Sequence, residues 1–174
     1  MHGLRMQVRL LSKRERQEFI SCFSSQLRSL RLDIGQKNVI REVKDGSLIV
    51  YVMEGFGTFV KVNGMLIPVL IEVSNRHILD RMPSVIVDMG AVPHIANGAD
   101  VMRPGIVALE GEFCEGGLVV VRDERYRKPI AIGKALKGSE DMLRAERGKV
   151  VINLHYVGDK VWKLCSDVLS RYPV

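Results

Sequence analysis

Between Val85 and Gly105 the chain runs Val-Ile-Val-Asp-Met-Gly-Ala-Val-Pro-His-Ile-Ala-Asn-Gly-Ala-Asp-Val-Met-Arg-Pro-Gly, its densest group of residues suited to holding a ligand. Gly90, Gly98 and Gly105 leave room for another backbone to come close, while Arg103 carries a fixed positive charge beside them. Backbone amides, small side chains and one arginine are binding chemistry, suited to a phosphate or the edge of a nucleobase. They are not a catalytic set.

Motifs for catalysis are absent elsewhere as well. The chain has no Gly-x-Ser-x-Gly, no phosphate-binding Gly-x-x-x-x-Gly-Lys-Ser/Thr, no dinucleotide fingerprint and no His-x-x-x-His pair. His2, His77, His94 and His155 are far apart in sequence; a spatial constellation of Asp88, His94 and His155 is conceivable but has no matched nucleophile, so structural or binding roles are expected for the histidines. Cys22, Cys114 and Cys165 are odd in number and widely spread, which indicates reduced thiols rather than a disulfide framework or zinc site. No metal and no cofactor is expected, and the chain reads as a non-enzyme.

The elements that must position this stretch follow from periodicity. Val85 to Val87 predict a buried strand, Asp88 a cap, and Met89 to Asn97 a helix of about two turns that ends at Asn97-Gly98. The segment Gly98 to Gly105 must then turn back into Ile106 to Leu109. Upstream, Met6 to Leu11 alternates as a strand, and Ser12-Lys-Arg-Glu15 is a capping box opening a helix. Its apolar stripe of Phe19, Ile20, Phe23, Leu27 and Leu30 extends to about Leu32. Strands are predicted over 38–43, 47–53 and 58–62, then from Met65 to Val73, where Pro68 favours an edge. The polar stretch from Ser74 to Met82 is the expected domain boundary. Gly105→Val is expected to harm folding if the position needs positive φ, whereas Arg103 is expected to leave the turn unaltered.

Charge indicates the kind of partner. The net +6 is concentrated before Asp45, where ten Lys/Arg face four Asp/Glu. Lys13, Arg14 and Arg16 lie at the positive end of a helix dipole, a conflict that phosphate would relieve, although a solvated basic face is the plain alternative. Arg122-Asp-Glu-Arg-Tyr-Arg-Lys128 reads as a charged hairpin, either a polar tip or a finger placing Arg125, Arg127 and Lys128 on phosphates with Tyr126 stacking. The longest apolar run, Met65 to Ile71, is far short of the roughly 20 residues of a membrane helix. No membrane association is expected, and the basic N-terminus does not read as a secretory signal.

The ordered set Asp88-x-Gly-Ala, Gly98-Ala-Asp-Val-Met-Arg-Pro-Gly-Ile106, Gly116-Gly-Leu-Val-Val-Val-Arg122, Pro129-Ile-Ala-Ile-Gly-Lys-Ala135 and Gly148-Lys-Val-Val-Ile-Asn-Leu-His-Tyr156 resembles the PUA domain, an RNA-binding module. With Asp159-x-x-Trp162 following His155-Tyr156, the pattern is similar to the malignant T-cell amplified sequence family, in which a PUA domain follows a small N-terminal domain. The resemblance runs from about Met82 to Lys163. It implies an α+β protein: an N-terminal helix packed on an antiparallel sheet in a pre-PUA-like domain over 1–78, then a PUA-type mixed-strand pseudo-barrel with a C-terminal extension over 79–174. The pseudo-barrel is expected to close around Val85, Val87, Ile106, Val119, Val121, Ile130, Ile132, Val150 and Ile152, with Ser139 to Glu146 as a crossover helix.

By the same resemblance, structured RNA, either tRNA or ribosomal RNA, would meet Gly90, Ala91, Gly98, Ala99, Asp100, Val101, Met102, Arg103, Pro104 and Gly105, with Arg125, Arg127 and Lys128 as the hairpin contribution. Lys13, Arg14 and Arg16 would form a secondary RNA or ribosome face. The resemblance implies a cytoplasmic role in translation, at initiation or recycling, with the small ribosomal subunit or an initiation-factor-like protein as possible partners. A different reading makes the chain a protein-interaction adaptor whose N-terminal domain docks a translation or RNA-modification partner.

Overall fold

The computed structural model describes residues 6–26 and 38–174. The strand β1 (Gln7–Leu10) leads into α1 (Lys13–Gln26), and β2 (Ile40–Asp45), β3 (Leu48–Met53), β4 (Gly57–Val62) and β5 (Met65–Pro68) complete an antiparallel sheet in simple sequence order. The capping box forms as read: Ser12 N donates to Glu15 Oε2 at 2.8 Å and Glu15 N donates to Ser12 Oγ at 3.3 Å. Phe19 and Phe23 lie buried against Phe59 of β4, so these aromatics are core. The expected continuation of α1 through Leu27 and Leu30 to Leu32 lies outside the described residues.

One expectation for the segment before the motif is corrected: the strand expected to reach Val73 stops at Pro68, which sits at the sheet edge, and a helix, α2 (Glu72–Leu79), runs into the stretch expected as the domain boundary. The helix is held because fully buried Asn75 serves three backbone groups of the sheet: its Oδ1 accepts from Thr58 N, and its Nδ2 donates to Thr58 O and Val69 O. A polar residue of the expected boundary stretch is thus a buried cross-brace.

The second sheet is mixed and curled, built from β6 (Ser84–Val87), β7 (Val101–Met102), β8 (Ile106–Glu110), β9 (Leu118–Asp123), β10 (Pro129–Ala135) and β11 (Lys149–Tyr156). Its strand order is β7-β11-β10-β9-β6-β8, and the end strands β7 and β8 are joined by a 3-10 turn, Arg103–Gly105. The α+β class and the helix-on-sheet then mixed-sheet order are as read. The crossover helix α4 (Ser139–Arg144) and the terminal helix α5 (Lys160–Arg171) complete the chain.

Both faces of this second sheet are covered. Val85, Val87, Ile106, Val119, Val121 and Val150 form the inner core with Ile130 packed on it, whereas Leu118, Val120 and Ile132 face the core of the first sheet together with α5. The apolar run at β9 is continuous for this reason, because a strand covered on both sides has no solvent side to alternate with. The expected barrel positions Ile132 and Ile152 are therefore corrected. Strand β10 carries one extra residue opposite β9 between Pro129 and Ala131, so Ile130 and Ala131 both pack on the inner core and Ile132 turns to the other core; on β11, Val151 rather than Ile152 is buried.

The end of β11 ties the two sheets together. His155, fully buried, accepts from Leu70 N at Nε2 (3.1 Å), while its Nδ1 lies 2.8 Å from Asp159 Oδ2. Asp159 also caps α5, accepting from Trp162 N at 2.7 Å, and the Trp162 indole N–H donates to Leu70 O at 3.1 Å. Both backbone groups of Leu70 are thereby held. Burial pushes the Asp159 carboxyl up, but the bonds from His155, Trp162 and Tyr156 outweigh it and leave the group below its ordinary value. Because the folded value is the depressed one, the stability contributed is complete above the unfolded value of about 3.9 and fades as pH falls through the folded value. Urea denaturation of Asp159→Asn at pH 7 is expected to show a loss of about 1–3 kcal/mol, with the difference from the parent shrinking below about pH 4.

Candidate nucleic-acid interface

The residues singled out by sequence converge at one end of the second sheet. Strands β6 and β9 are parallel, with Val87 opposite Asp123, so the segment leaving β6 and the hairpin leaving β9 emerge side by side. Glu124 joins them: its N–H donates to Val87 O at 2.9 Å and its carboxylate accepts from Met89 N at 3.0 Å.

After Val87, Asp88 Oδ1 accepts from Ala91 N at 2.7 Å, and α3 (Val92–Ile95) follows. The expected two turns are reduced to one, because Pro93 has no amide to continue a helical ladder from upstream and belongs in a first turn. Gly98 takes φ +91 as the helix ends, in agreement with the reading of Asn97-Gly98. A Cβ there would also lie 3.0 Å from the Tyr156 ring, so two constraints hold the position.

Gly105 is different from its expectation. Its φ is not in the left-handed region; a Cβ at 105 would instead stand 3.0 Å from Ala91 Cβ. Asp88 N donates to Gly105 O at 2.9 Å, so the Gly90-Ala91 corner and the Pro104-Gly105 corner abut through backbone. Glycine is needed at 105 for close approach, not for conformation.

The amides expected to face a ligand are largely spent within the fold. Gly98 N donates to Ile95 O, Ala99 N to His94 O and Arg103 N to Gly148 O. Asp100 accepts from Asn153 N at 2.8 Å and pairs with Lys149 at 2.6 Å; burial pushes its carboxyl up, yet the Lys149 and Asn153 bonds hold it below the ordinary range. Asn153 Nδ2 completes the brace by donating to Ile95 O and Ala99 O. Asn153 and Lys149 escaped the sequence reading, although an asparagine inside the apolar run of β11 was the available signal. Val101 is buried in the inner core, while Met102 and Pro104 remain exposed at the corner.

Arg103 shapes the turn, which corrects the expectation that it would not. Its Nε donates to Met142 O at 2.9 Å, Nη1 to Ile106 O at 3.2 Å and Nη2 to Leu143 O at 3.5 Å. A guanidinium has five N–H donors, so two hydrogens on the terminal nitrogens remain for a ligand on a group already fixed in orientation. In the hairpin, Asp123 accepts from Tyr126 N and Lys128 N, leaving Tyr126 and Arg125 exposed outward. Arg127 pairs with Glu110 at 2.7 Å, and Lys128 is exposed with no carboxylate within 4.0 Å among the described residues.

Other candidates stay apart from this end. Lys13, Arg14 and Arg16 open α1 on the first sheet, where Arg14 pairs with Glu18 at 3.0 Å and Arg16 donates to Asn38 O at 3.3 Å. Asp88, His94 and His155 do not form one constellation: Asp88 caps the corner, His94 is exposed and His155 is bound to Leu70 and Asp159. No group of three or more His, Cys, Asp or Glu is placed to hold a metal among the described residues, and no described helix is long and apolar enough to cross a membrane.

With this geometry in place, a PUA domain model matches residues 83–157. Translation machinery-associated protein 20 of Schizosaccharomyces pombe is 30% identical over 136 residues, 75% of this chain and 74% of that protein. The chain belongs to the translation machinery-associated protein 20 family. Human malignant T-cell-amplified sequence 2 is 26% identical over 86 residues, 48% of each chain, in keeping with the family resemblance read from the motifs. An uncharacterized protein of Methanocaldococcus jannaschii is 50% identical over 78 residues, 45% of this chain and 48% of that protein. The matched region thus spans about half the length of several of these relatives. Among solved structures, a PUA domain protein from Aeropyrum pernix in a tartrate complex superposes with a TM-score of 0.78 at 26% identity, covering 93% of this chain and 92% of that one.

Because the guanidinium of Arg103 satisfies three carbonyls, Arg103→Ala is expected to destabilise the fold by about 1–3 kcal/mol. Thermal denaturation checks this, at about 2–4 °C per kcal/mol for a chain of this size. Gly105→Val is expected to lose stability through the clash with Ala91, and the paired variant Ala91→Gly should restore part of it.

Proposed function

We propose that this PUA-family protein is a non-catalytic binder of structured RNA, tRNA or ribosomal RNA, acting in translation or RNA maturation in the cytoplasm. The carrying observation is that Glu124 joins the Arg125–Lys128 hairpin to the segment after β6, and that this segment in turn abuts the Pro104-Gly105 corner beside an oriented Arg103 through the Asp88 N–H bond to Gly105 O. Phosphate contacts fall to Arg103, Arg125 and Lys128, whose charge is presented, while Gly90, Ala91, Gly98, Ala99 and Gly105 supply a surface without bulky side chains. Asp100 and Val101 support that surface from within; Met102 and Pro104 border it. The family name supports a translation role, and the small ribosomal subunit or an initiation-factor-like protein are the proposed partners. A functional division at residues 1–78 and 79–174 accompanies this reading, although the two parts share apolar packing.

Three phosphate contacts on a single strand predict a slope of about −2 for log affinity against log salt, near −0.7 per contact. Fluorescence anisotropy with unfractionated tRNA and with a labelled 12-nucleotide oligouridylate measures it. An affinity that stays flat as salt rises overturns RNA binding and favours the adaptor reading.

A further inference from the structure

Beyond the glycine corners, the hairpin has a second face that meets the N-terminal half. Residues about 50 positions apart, on α2 and on the β9–β10 hairpin, enclose a cleft of about 390 Å³ whose wall includes Arg76, Arg122, Tyr126, Arg127 and Lys128. That volume falls within the range of small-ligand sites. We propose that this cleft is a nucleotide subsite, which takes one phosphodiester of single-stranded RNA with the adjoining base stacked on Tyr126. The proposal deepens the RNA-binding reading and rests on it.

Three features support the assignment. First, the cationic wall is built into the fold. The Arg122 side chain is only 11% exposed and donates to Ser84 Oγ, Arg127 O and Leu79 O at 2.8–3.1 Å, with Asp80 at 3.4 Å. Its charge cannot swing away, so it fixes a positive potential on the cleft wall. Second, the charge balance favours an anion: four cations line the cleft against the carboxylates Glu72 and Asp80 and against Glu110, which pairs with Arg127 at 2.7 Å, so one positive charge is left over. Asp80 is shared between Arg76, at 3.6 Å, and Arg122. Lys128 has no such partner among the described residues.

Third, the hairpin holds its aromatic in place. Tyr126 is 66% exposed, yet its backbone N–H is bound by Asp123, whose carboxylate also accepts from Lys128 N. Burial pushes the Asp123 carboxyl up, but these amide bonds hold it below the ordinary range, so the brace is charged at neutral pH. Arg127 keeps φ +56, a conformation that non-glycine residues adopt at a cost, and the turn retains it here. An exposed ring on a fixed turn beside an unpaired lysine matches what a base and its phosphate require.

The test uses the full chain and the labelled 12-nucleotide oligouridylate. Tyr126→Ala is expected to weaken binding about tenfold, while Tyr126→Phe, which keeps the ring, stays within about twofold of the parent. Arg76→Gln and Lys128→Gln should each reduce the salt slope by about 0.7. All three positions are exposed, and circular dichroism melts of the four variants should match the parent. If the parent binds the oligonucleotide and all four variants bind as the parent does, the cleft assignment is overturned while RNA binding stands. Equal losses in Tyr126→Ala and Tyr126→Phe overturn the stacking role. If the parent binds tRNA but not the oligonucleotide, the single-stranded subsite is overturned while the RNA reading stands; if it binds neither, both fall.

Discussion

The grip of the C-terminal segment on Leu70 is the constraint on which the arrangement of the two sheets depends. Leu70 follows the edge strand β5, where a buried N–H and C=O would be left without ladder partners. His155 accepts from the one and Trp162 donates to the other, and Asp159 orients both by binding the His155 ring and capping the helix that carries Trp162. One carboxylate therefore sets a tautomer, a helix start and an inter-sheet bond. A lone pair on His155 Nε2 must face the Leu70 amide, which gives the ring one functional tautomer.

That anchoring explains why the second sheet is buried on both faces. With α5 fixed against the first sheet, Leu118, Val120 and Ile132 join its core while Val119 and Val121 point into the pseudo-barrel. Neighbouring residues on one strand thus serve two cores. The same arrangement sets α2 beside the hairpin, where Arg122 bonds to Leu79 O and Asp80. An interface made for packing leaves a charged cleft at its rim.

At the glycine corners, positioning and binding use the same atoms. Arg103 holds three carbonyls from two elements, and Asp88, Asp100 and Glu124 spend nearby amides on the fold. What reaches solvent is a rigid, nearly side-chain-free backbone surface with an oriented guanidinium. Rigidity of this kind lowers the ordering cost of binding. A ligand is met by shape and charge more than by a cradle of free amides.

Local pattern located most of the elements, though not α2 or α5. Ser12 and Glu15 announced a helix start because capping acts over three residues, Asn97-Gly98 announced a helix end because only the local backbone needs positive φ, and alternating or β-branched runs located the strands of both sheets. The ordered glycine motifs marked the PUA region by resemblance, although Gly98 and Gly105 answer in part to contacts with Tyr156 and Ala91. Other roles depended on partners distant in sequence, and only the tertiary structure could decide them. Nothing near Asn75 shows that it will brace Thr58 and Val69, nothing near Arg103 shows that Met142 and Leu143 will supply carbonyls, and nothing near Tyr126 shows that Arg76 will stand across a cleft. The face chosen by Ile132 was equally hidden, because one extra residue in β10 opposite β9 reverses it. Short-range sterics and capping are written in adjacent residues, whereas hydrogen bonds and charge pairs across the fold exist only once packing has brought their groups together.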